Sequence, residues 1–120
     1  SSLNKEYFGR TRVVKLGDGL DTVNMMLEDF SLNRNMIKFI ISDENMAIMN
    51  GSESFSHLNK LVKMQKVNSI PKIIYTALEA DNALAQIKLV SECNEIVKKP
   101  VSKKDLTSIL ANYLALGSNA

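Results

Sequence analysis

The sequence predicts an α/β fold in which parallel strands alternate with helices, and three observations lead to this prediction. Short apolar runs rich in β-branched residues alternate along the chain with segments of helical periodicity. Two of these runs are almost continuously apolar, which is typical of strands covered on both faces. Glycine, proline and asparagine separate the two kinds of segment. We therefore expect residues 1–120 to form a single domain around one core.

Each apolar run has the length of a strand, and the second and third are the most continuous. Because the strands alternate with helices, their connections are expected to be right-handed crossovers between parallel neighbours. In open sheets of this type, the ligand site lies outside the carboxyl ends of the strands. In chain order the predicted strands are Arg12–Leu16, Ile37–Ser42, Lys72–Thr76 and Glu95–Lys98.

A segment of helical period follows each predicted strand. The third of these helices is expected to begin near Glu79. The fourth carries an apolar stripe from Leu106 to Leu114, and Ser102 and Asp105 before it have the spacing of a capping box, which marks its start. The stripes of the first three helices are Leu20, Val23, Leu27 and Phe30; Phe55, Leu58, Leu61 and Val62; and Leu84, Ile87 and Val90.

Composition excludes several classes of protein. A net charge of +2 is too small to favour nucleic acid as the main partner. The one cysteine, Cys93, cannot form an internal disulfide, which favours a reducing, cytoplasmic location. No apolar run approaches the ~20 residues of a membrane span. We therefore expect no membrane contact by this domain.

Three predicted strands end in side chains capable of chemistry. The second strand runs into Asp43, the third ends at Thr76, and the fourth runs into Lys99 and Pro100. Parallel strands place these ends on one edge, so a carboxylate, a hydroxyl and an ammonium can converge. A carboxylate can attack phosphorus to form an acyl phosphate, and the other two groups can bind the phosphoryl oxygens.

Four segments carry a resemblance to a known family. Asp43–Gly51 resembles an aspartate followed by x-x-Met-Pro-x-Met-Asp-Gly, and Ile70–Ala77 resembles a fourth strand ending in Thr-Ala. Ile96–Val101 resembles a Lys-Pro motif, and Val13–Val23 resembles a second strand with its following helix. In this order and spacing they resemble the response-regulator receiver domains (CheY-like) of two-component phosphorelay signalling.

The resemblance implies a flavodoxin-like, doubly wound parallel sheet in a three-layer α/β/α arrangement, with strand order 2-1-3-4-5. It implies that Asp43 is the phosphoacceptor, that Thr76 is the switch hydroxyl, and that Lys99 pairs with the phosphoryl oxygens. It also implies that the peptide bond between Lys99 and Pro100 is cis. Asp43 and the backbone carbonyl of Asn45 would bind Mg²⁺. The chain would then be no enzyme itself, but would receive its phosphoryl group from a histidine kinase or a histidine phosphotransfer protein.

The chain departs from the family at three places. Ala47 replaces a proline, and Ile96 stands where many receivers carry the switch aromatic. The family's first strand, with its pair of acidic Mg²⁺ ligands, is absent, since Arg12–Leu16 already matches the second strand. We expect residues outside this sequence to supply that strand. The chain is then either a stand-alone receiver or, as the absent start favours, a receiver cut from a hybrid histidine kinase that is tethered to a membrane. Closure into four strands and a homodimer formed by exchange are the alternatives.

Two other functions stay open at this point. The missing acidic pair favours a pseudo-receiver, a protein-interaction module that is not phosphorylated. A small flavodoxin-like enzyme or cofactor binder would need a loop that cradles phosphate. The segment Gly17–Gly19 is too short and too acidic to hold phosphate well.

Overall fold

The computed structural model describes the backbone of residues 17–118 and the side chains of residues 17–113. The predicted strand Arg12–Leu16 lies outside the described residues. Within them, helices and strands alternate as predicted. In chain order they are α1 (Gly19–Ser31), β1 (Ile40–Asp43), α2 (Gly51–Lys63), β2 (Lys72–Thr76), α3 (Asp81–Ser91), β3 (Glu95–Lys98) and α4 (Lys103–Ser118).

The three strands form a parallel sheet in the order β1-β2-β3. The bounds of β2 and β3 are those predicted, but the prediction of Ile37–Ser42 is wrong at both ends. The strand β1 begins only at Ile40, whose N–H donates to the carbonyl of Pro71 at 3.0 Å. Proline has no N–H with which to continue the ladder upstream of this bond. At the other end, Asp43 still pairs in register with Tyr75.

Helices cover both faces of the sheet, so the described residues form three layers. Successive residues of a strand point to opposite faces, and Ile73 and Ile74, both fully buried, belong to different clusters. Ile74 packs in the larger cluster, on the side of α1, α2 and α3, while Ile73 packs in the smaller one, on the side of α4. The buried members of the larger cluster are Val23, Met26, Phe55, Leu58, Val67, Ile74, Ile87 and Cys93.

The buried face of α1 differs from the predicted stripe. Leu20 is 38% exposed, whereas Met26 is only 3% exposed. Two polar residues share the buried face, and their hydrogen bonds are satisfied: the Thr22 hydroxyl donates to the carbonyl of Asp18 at 3.4 Å, and the Asp29 carboxylate accepts from the N–H of Met36 at 3.1 Å. A stripe defined by apolar residues alone could not locate this face.

The last two helices begin close to their predicted starts. The helix α3 begins at Asp81, two residues beyond the predicted Glu79. The Ser102 hydroxyl accepts from the N–H of Asp105 at 3.0 Å, so the predicted cap of α4 is confirmed. The Tyr113 hydroxyl ties α4 to β3 by donating to Glu95 at 2.9 Å, and burial together with this bond raises the pKa of Tyr113 to about 12.

None of the helices formed by residues 17–118 has the length and apolar character needed to cross a membrane.

Candidate functional site

The carboxyl edge of the sheet carries the residues singled out from the sequence. In the register, Asp43 lies beside Tyr75, and Thr76 lies beside Lys98 on β3. Lys99 follows β3 directly, and its N–H donates to the carbonyl of Thr76 at 2.8 Å. The three strand ends therefore lie side by side, as the sequence predicted.

Asp43 and Lys99 are in direct contact. The Lys99 ammonium donates to Oδ1 of Asp43, and the two side chains are 36% and 48% exposed, respectively. The bond between Lys99 and Pro100 is cis, which confirms that part of the prediction. An ion pair that solvent reaches on both sides is worth about 0–1 kcal/mol. The pair therefore contributes little to stability.

Thr76 lies at the same edge without touching either charge. It is only 2% exposed, and its hydroxyl oxygen accepts from the N–H of Leu78 at 3.2 Å, which forms the turn after β2. Within the described part of the chain, the Thr76 hydroxyl donates no hydrogen bond to Asp43 or to another acceptor. Its proton therefore has no acceptor among the described residues.

The loop after Asp43 is attached to α2 by Glu44, which the sequence analysis did not single out. Glu44 is buried, and its carboxylate accepts from both the N–H and the hydroxyl of Ser52, each at 2.7 Å. The Glu44 carbonyl also accepts from the N–H of Gly51 at 3.0 Å. A carboxylate at the start of a helix interacts favourably with the helix dipole. Glu44 therefore fixes the backbone directly beside Asp43.

The far side of the same loop is attached to α1 by Asp18. Its carboxylate accepts from the N–H of Leu20 at 3.0 Å, of Ile48 at 2.7 Å and of Met49 at 2.9 Å. The bond from Leu20 caps α1, and together with the bond from Ile48 it holds the pKa of the Asp18 carboxyl below its usual value, against the effect of burial. The N–H of Gly19 adds a bond to the carbonyl of Met49 at 3.0 Å.

In the sequence, Asp18 attracted notice only as the acidic residue of the Gly17–Gly19 segment, which is too short and too acidic to hold phosphate. An aspartate before a helical period is a signal for an N-cap, and that part of its role could have been predicted. Its bonds to Ile48 and Met49 span 30 and 31 residues, and no local pattern reveals them. Glu44 has no local signal either, because its role depends on the approach of α2.

The carboxylates that hold the loop after Asp43 limit how a divalent cation could bind there. Among residues 17–118 there is no group of three or more histidine, cysteine or acidic side chains that could hold a metal. Asp18 and Glu44 already accept hydrogen bonds through both of their carboxylate oxygens. Of the two ligands expected from the sequence, Asp43 accepts from Lys99 through Oδ1, which leaves its Oδ2, and Asn45 is exposed. These two ligands fit Mg²⁺, which usually keeps several waters and takes few protein carboxylates.

Comparison of this fold with solved structures finds receiver domains. The response regulatory domain of mrkE from Klebsiella pneumoniae has a TM-score of 0.70 and 17% identity, and the match covers 98% of this chain and 85% of that one. The receiver domain of the histidine kinase CKI1 from Arabidopsis thaliana, complexed with Mg²⁺ and BeF₃⁻, has a TM-score of 0.71 and 16% identity over 89% of this chain and 74% of that one.

A third similar structure is the phosphorylated cyanobacterial phytochrome response regulator RcpA. Its TM-score is 0.62 at 16% identity, and the match covers 90% of this chain and 78% of that one. No family model and no curated protein matches the sequence. The chain therefore has the flavodoxin-like α/β fold of response-regulator receiver domains.

Proposed function

We propose that this chain is a phosphoryl-accepting switch of a two-component phosphorelay and that Asp43 is the phosphoacceptor. The observation that carries the proposal is the contact between the Lys99 ammonium and the Asp43 carboxylate at the carboxyl edge of the sheet. The fold of receiver domains supports the signalling class. The phosphodonor would be the phosphohistidine of a histidine kinase or of a phosphotransfer protein.

The proposed reaction transfers one phosphoryl group. A carboxylate oxygen of Asp43 attacks phosphorus, the bond from phosphorus to the donor's imidazole nitrogen breaks, and that nitrogen takes up a proton. Lys99 then pairs with the phosphoryl oxygens, and the Thr76 hydroxyl donates a hydrogen bond to one of them. Asp43 and the Asn45 carbonyl would hold Mg²⁺, which reduces the repulsion between the negative charges of donor and acceptor. The chain itself turns over no substrate in this scheme.

One feature favours a second function, a pseudo-receiver that binds partners without being phosphorylated. The carboxylate oxygens of Asp18 and Glu44 all accept hydrogen bonds that hold the loop after Asp43, so among the described residues the expected ligands of a divalent cation are reduced to two, Asp43 and the Asn45 carbonyl. A weakly held cation makes phosphoryl transfer slower. The two functions differ in whether Asp43 acquires a phosphoryl group.

Incubation with acetyl phosphate or phosphoramidate and Mg²⁺ tests the proposal. We expect intact-mass measurement to show one added phosphoryl group on the wild-type chain and none on Asp43→Asn, since an amide cannot form an acyl phosphate. Asp81→Asn, which removes an exposed carboxylate from α3, serves as the control and should be labelled normally. Equal labelling of Asp43→Asn would assign the acceptor to another residue, and no labelling of any variant would favour the pseudo-receiver.

The Lys99→Ala variant separates a functional from a structural lysine. Because the Lys99 side chain is partly exposed, we expect the free energy of unfolding to change by less than about 0.5 kcal/mol. Loss of an ammonium that stabilises the transferred group should slow labelling on the order of 10- to 100-fold. Denaturant unfolding and the labelling rate measure the two effects. Lys98→Ala, an exposed neighbour, is the matched control. A large loss of stability with an unchanged labelling rate would make Lys99 structural.

A further inference from the structure

Tyr75 lies directly beside the candidate site, although no motif drew attention to it. In the sheet register it stands between Asp43 on β1 and Val97 on β3. The side chain is half-buried and packs against the cluster of Ile73, Val97 and Leu110 on the α4 side of the sheet. A central strand and this packing hold the ring in a defined position at the edge where Asp43 lies.

The ring of Tyr75 is also in contact with Lys99. The Lys99 ammonium lies 4.8 Å from the ring centroid, within the range of a cation–π interaction, and the same ammonium contacts Asp43. The nitrogen therefore contacts both a carboxylate and an aromatic ring.

A second contact matters because lysine is flexible. Its ammonium is carried on four methylene groups with rotatable bonds, and water reaches both members of its pair with Asp43. An exposed ion pair alone orders such a side chain only weakly. The backbone of Lys99 is fixed to Thr76, so the ring restricts the part of the residue that the backbone bond does not reach.

We propose that Tyr75 is a positioning residue that acts through Lys99, because its ring holds the ammonium beside Asp43. The proposal deepens the function proposed above and rests on it where it concerns phosphorylation. The aromatic face is what matters, since the cation binds the ring and not the hydroxyl. Phenylalanine should therefore replace tyrosine, and leucine should not.

The first experiment examines the contact without any phosphodonor. In the wild-type chain and in Tyr75→Phe, NMR should show upfield ring-current shifts of the Lys99 side-chain protons and cross-peaks between these protons and the ring. In Tyr75→Leu the Lys99 shifts should move to random-coil values. Wild-type Lys99 shifts already at random-coil values would overturn the proposal, whether or not the chain is phosphorylated.

The second experiment measures the effect on labelling by acetyl phosphate. We expect Tyr75→Phe to match the wild type and Tyr75→Leu to be about two- to fivefold slower, the factor that a partly exposed cation–π contact implies. In the Lys99→Ala background, Tyr75→Leu should have no additional effect, because the two residues act as a unit. Ile73→Val, which alters the same cluster without touching Lys99, controls for lost packing and should label at the wild-type rate.

The outcomes separate the two proposals. If no variant is labelled while the ring-current shifts are present, the phosphorylation proposal fails and the positioning of Lys99 by Tyr75 stands. If the chain is labelled and Tyr75→Leu slows labelling equally with and without Lys99, the ring acts by another route and the positioning role is wrong.

Discussion

Replacing Gly51 with alanine is expected to destabilise the fold and to displace Asp43. A Cβ at this position would lie 2.5 Å from the carbonyl oxygen of Asp43, 2.9 Å from Cδ1 of Ile74 and 2.9 Å from Oγ of Ser42. The nearest atom belongs to the backbone of β1 and cannot move without disturbing the pairing with β2. Overpacking of this kind costs about 1–3 kcal/mol in the free energy of unfolding.

Intrinsic helix propensity predicts the opposite sign, which makes the Gly51→Ala variant informative. Alanine is favoured over glycine within helices, and Gly51 is the first residue of α2. Gly17→Ala provides the control, because among the described residues a Cβ there meets only a carboxylate oxygen of Asp21, at 4.0 Å. Denaturant unfolding should show a lower midpoint for Gly51→Ala alone, together with slower labelling of Asp43. A Gly51→Ala variant as stable as the wild type would contradict the close packing of α2 on β1.

Loss of the Asp18 carboxylate should have the second large effect. Asp18→Ala leaves the N–H groups of Leu20, Ile48 and Met49 without their acceptor, so both the cap of α1 and the attachment of the loop are lost. We expect the thermal midpoint to fall by roughly 5–10 °C at neutral pH. Amide exchange at Ile48 and Met49 should accelerate, which links the effect to the loop beside Asp43.

The pH dependence of this effect follows from the lowered pKa of Asp18. A carboxyl with a lower pKa in the folded than in the unfolded chain stabilises the fold above its unfolded pKa of about 3.9. That contribution is lost as the pH falls through the folded-state pKa. The stability difference between the wild type and Asp18→Asn should therefore be constant near neutrality and shrink below about pH 4. Asp21→Asn, at an exposed aspartate of the same helix, serves as the control for the loss of one surface charge.

Local patterns predicted most of the described fold and the two charged residues of the site. The bounds of β2 and β3 were predictable because prolines, which break regular structure, lie next to these apolar segments. Pro71 comes directly before β2, and Pro100 comes soon after β3. Asp43 and Lys99 could be paired in advance because the carboxyl ends of parallel strands share one edge.

The missed features depend on contacts between segments far apart in the chain. The late start of β1 depends on Pro71, which directly precedes the neighbouring strand β2. The buried face of α1 includes Thr22 and Asp29, and a pattern of apolar residues could not predict that these polar residues are buried. The roles of Asp18 and Glu44 require the loop after β1 to lie against two helix starts. Tyr75 looked like an ordinary strand residue because its contact with Lys99 spans two strands.

The most direct test of the central claim is chemical mapping of the phosphorylated residue. The chain is incubated with acetyl phosphate and Mg²⁺, treated with borohydride, which reduces an acyl phosphate to an alcohol, and digested for peptide mass analysis. We expect homoserine at position 43 and unchanged aspartate in the peptides that contain Asp18, Asp21 and Asp81. Prior treatment with hydroxylamine should remove the signal. Unmodified aspartate at position 43 after incubation, with homoserine at another position or at none, would contradict the assignment of Asp43 as the phosphoacceptor.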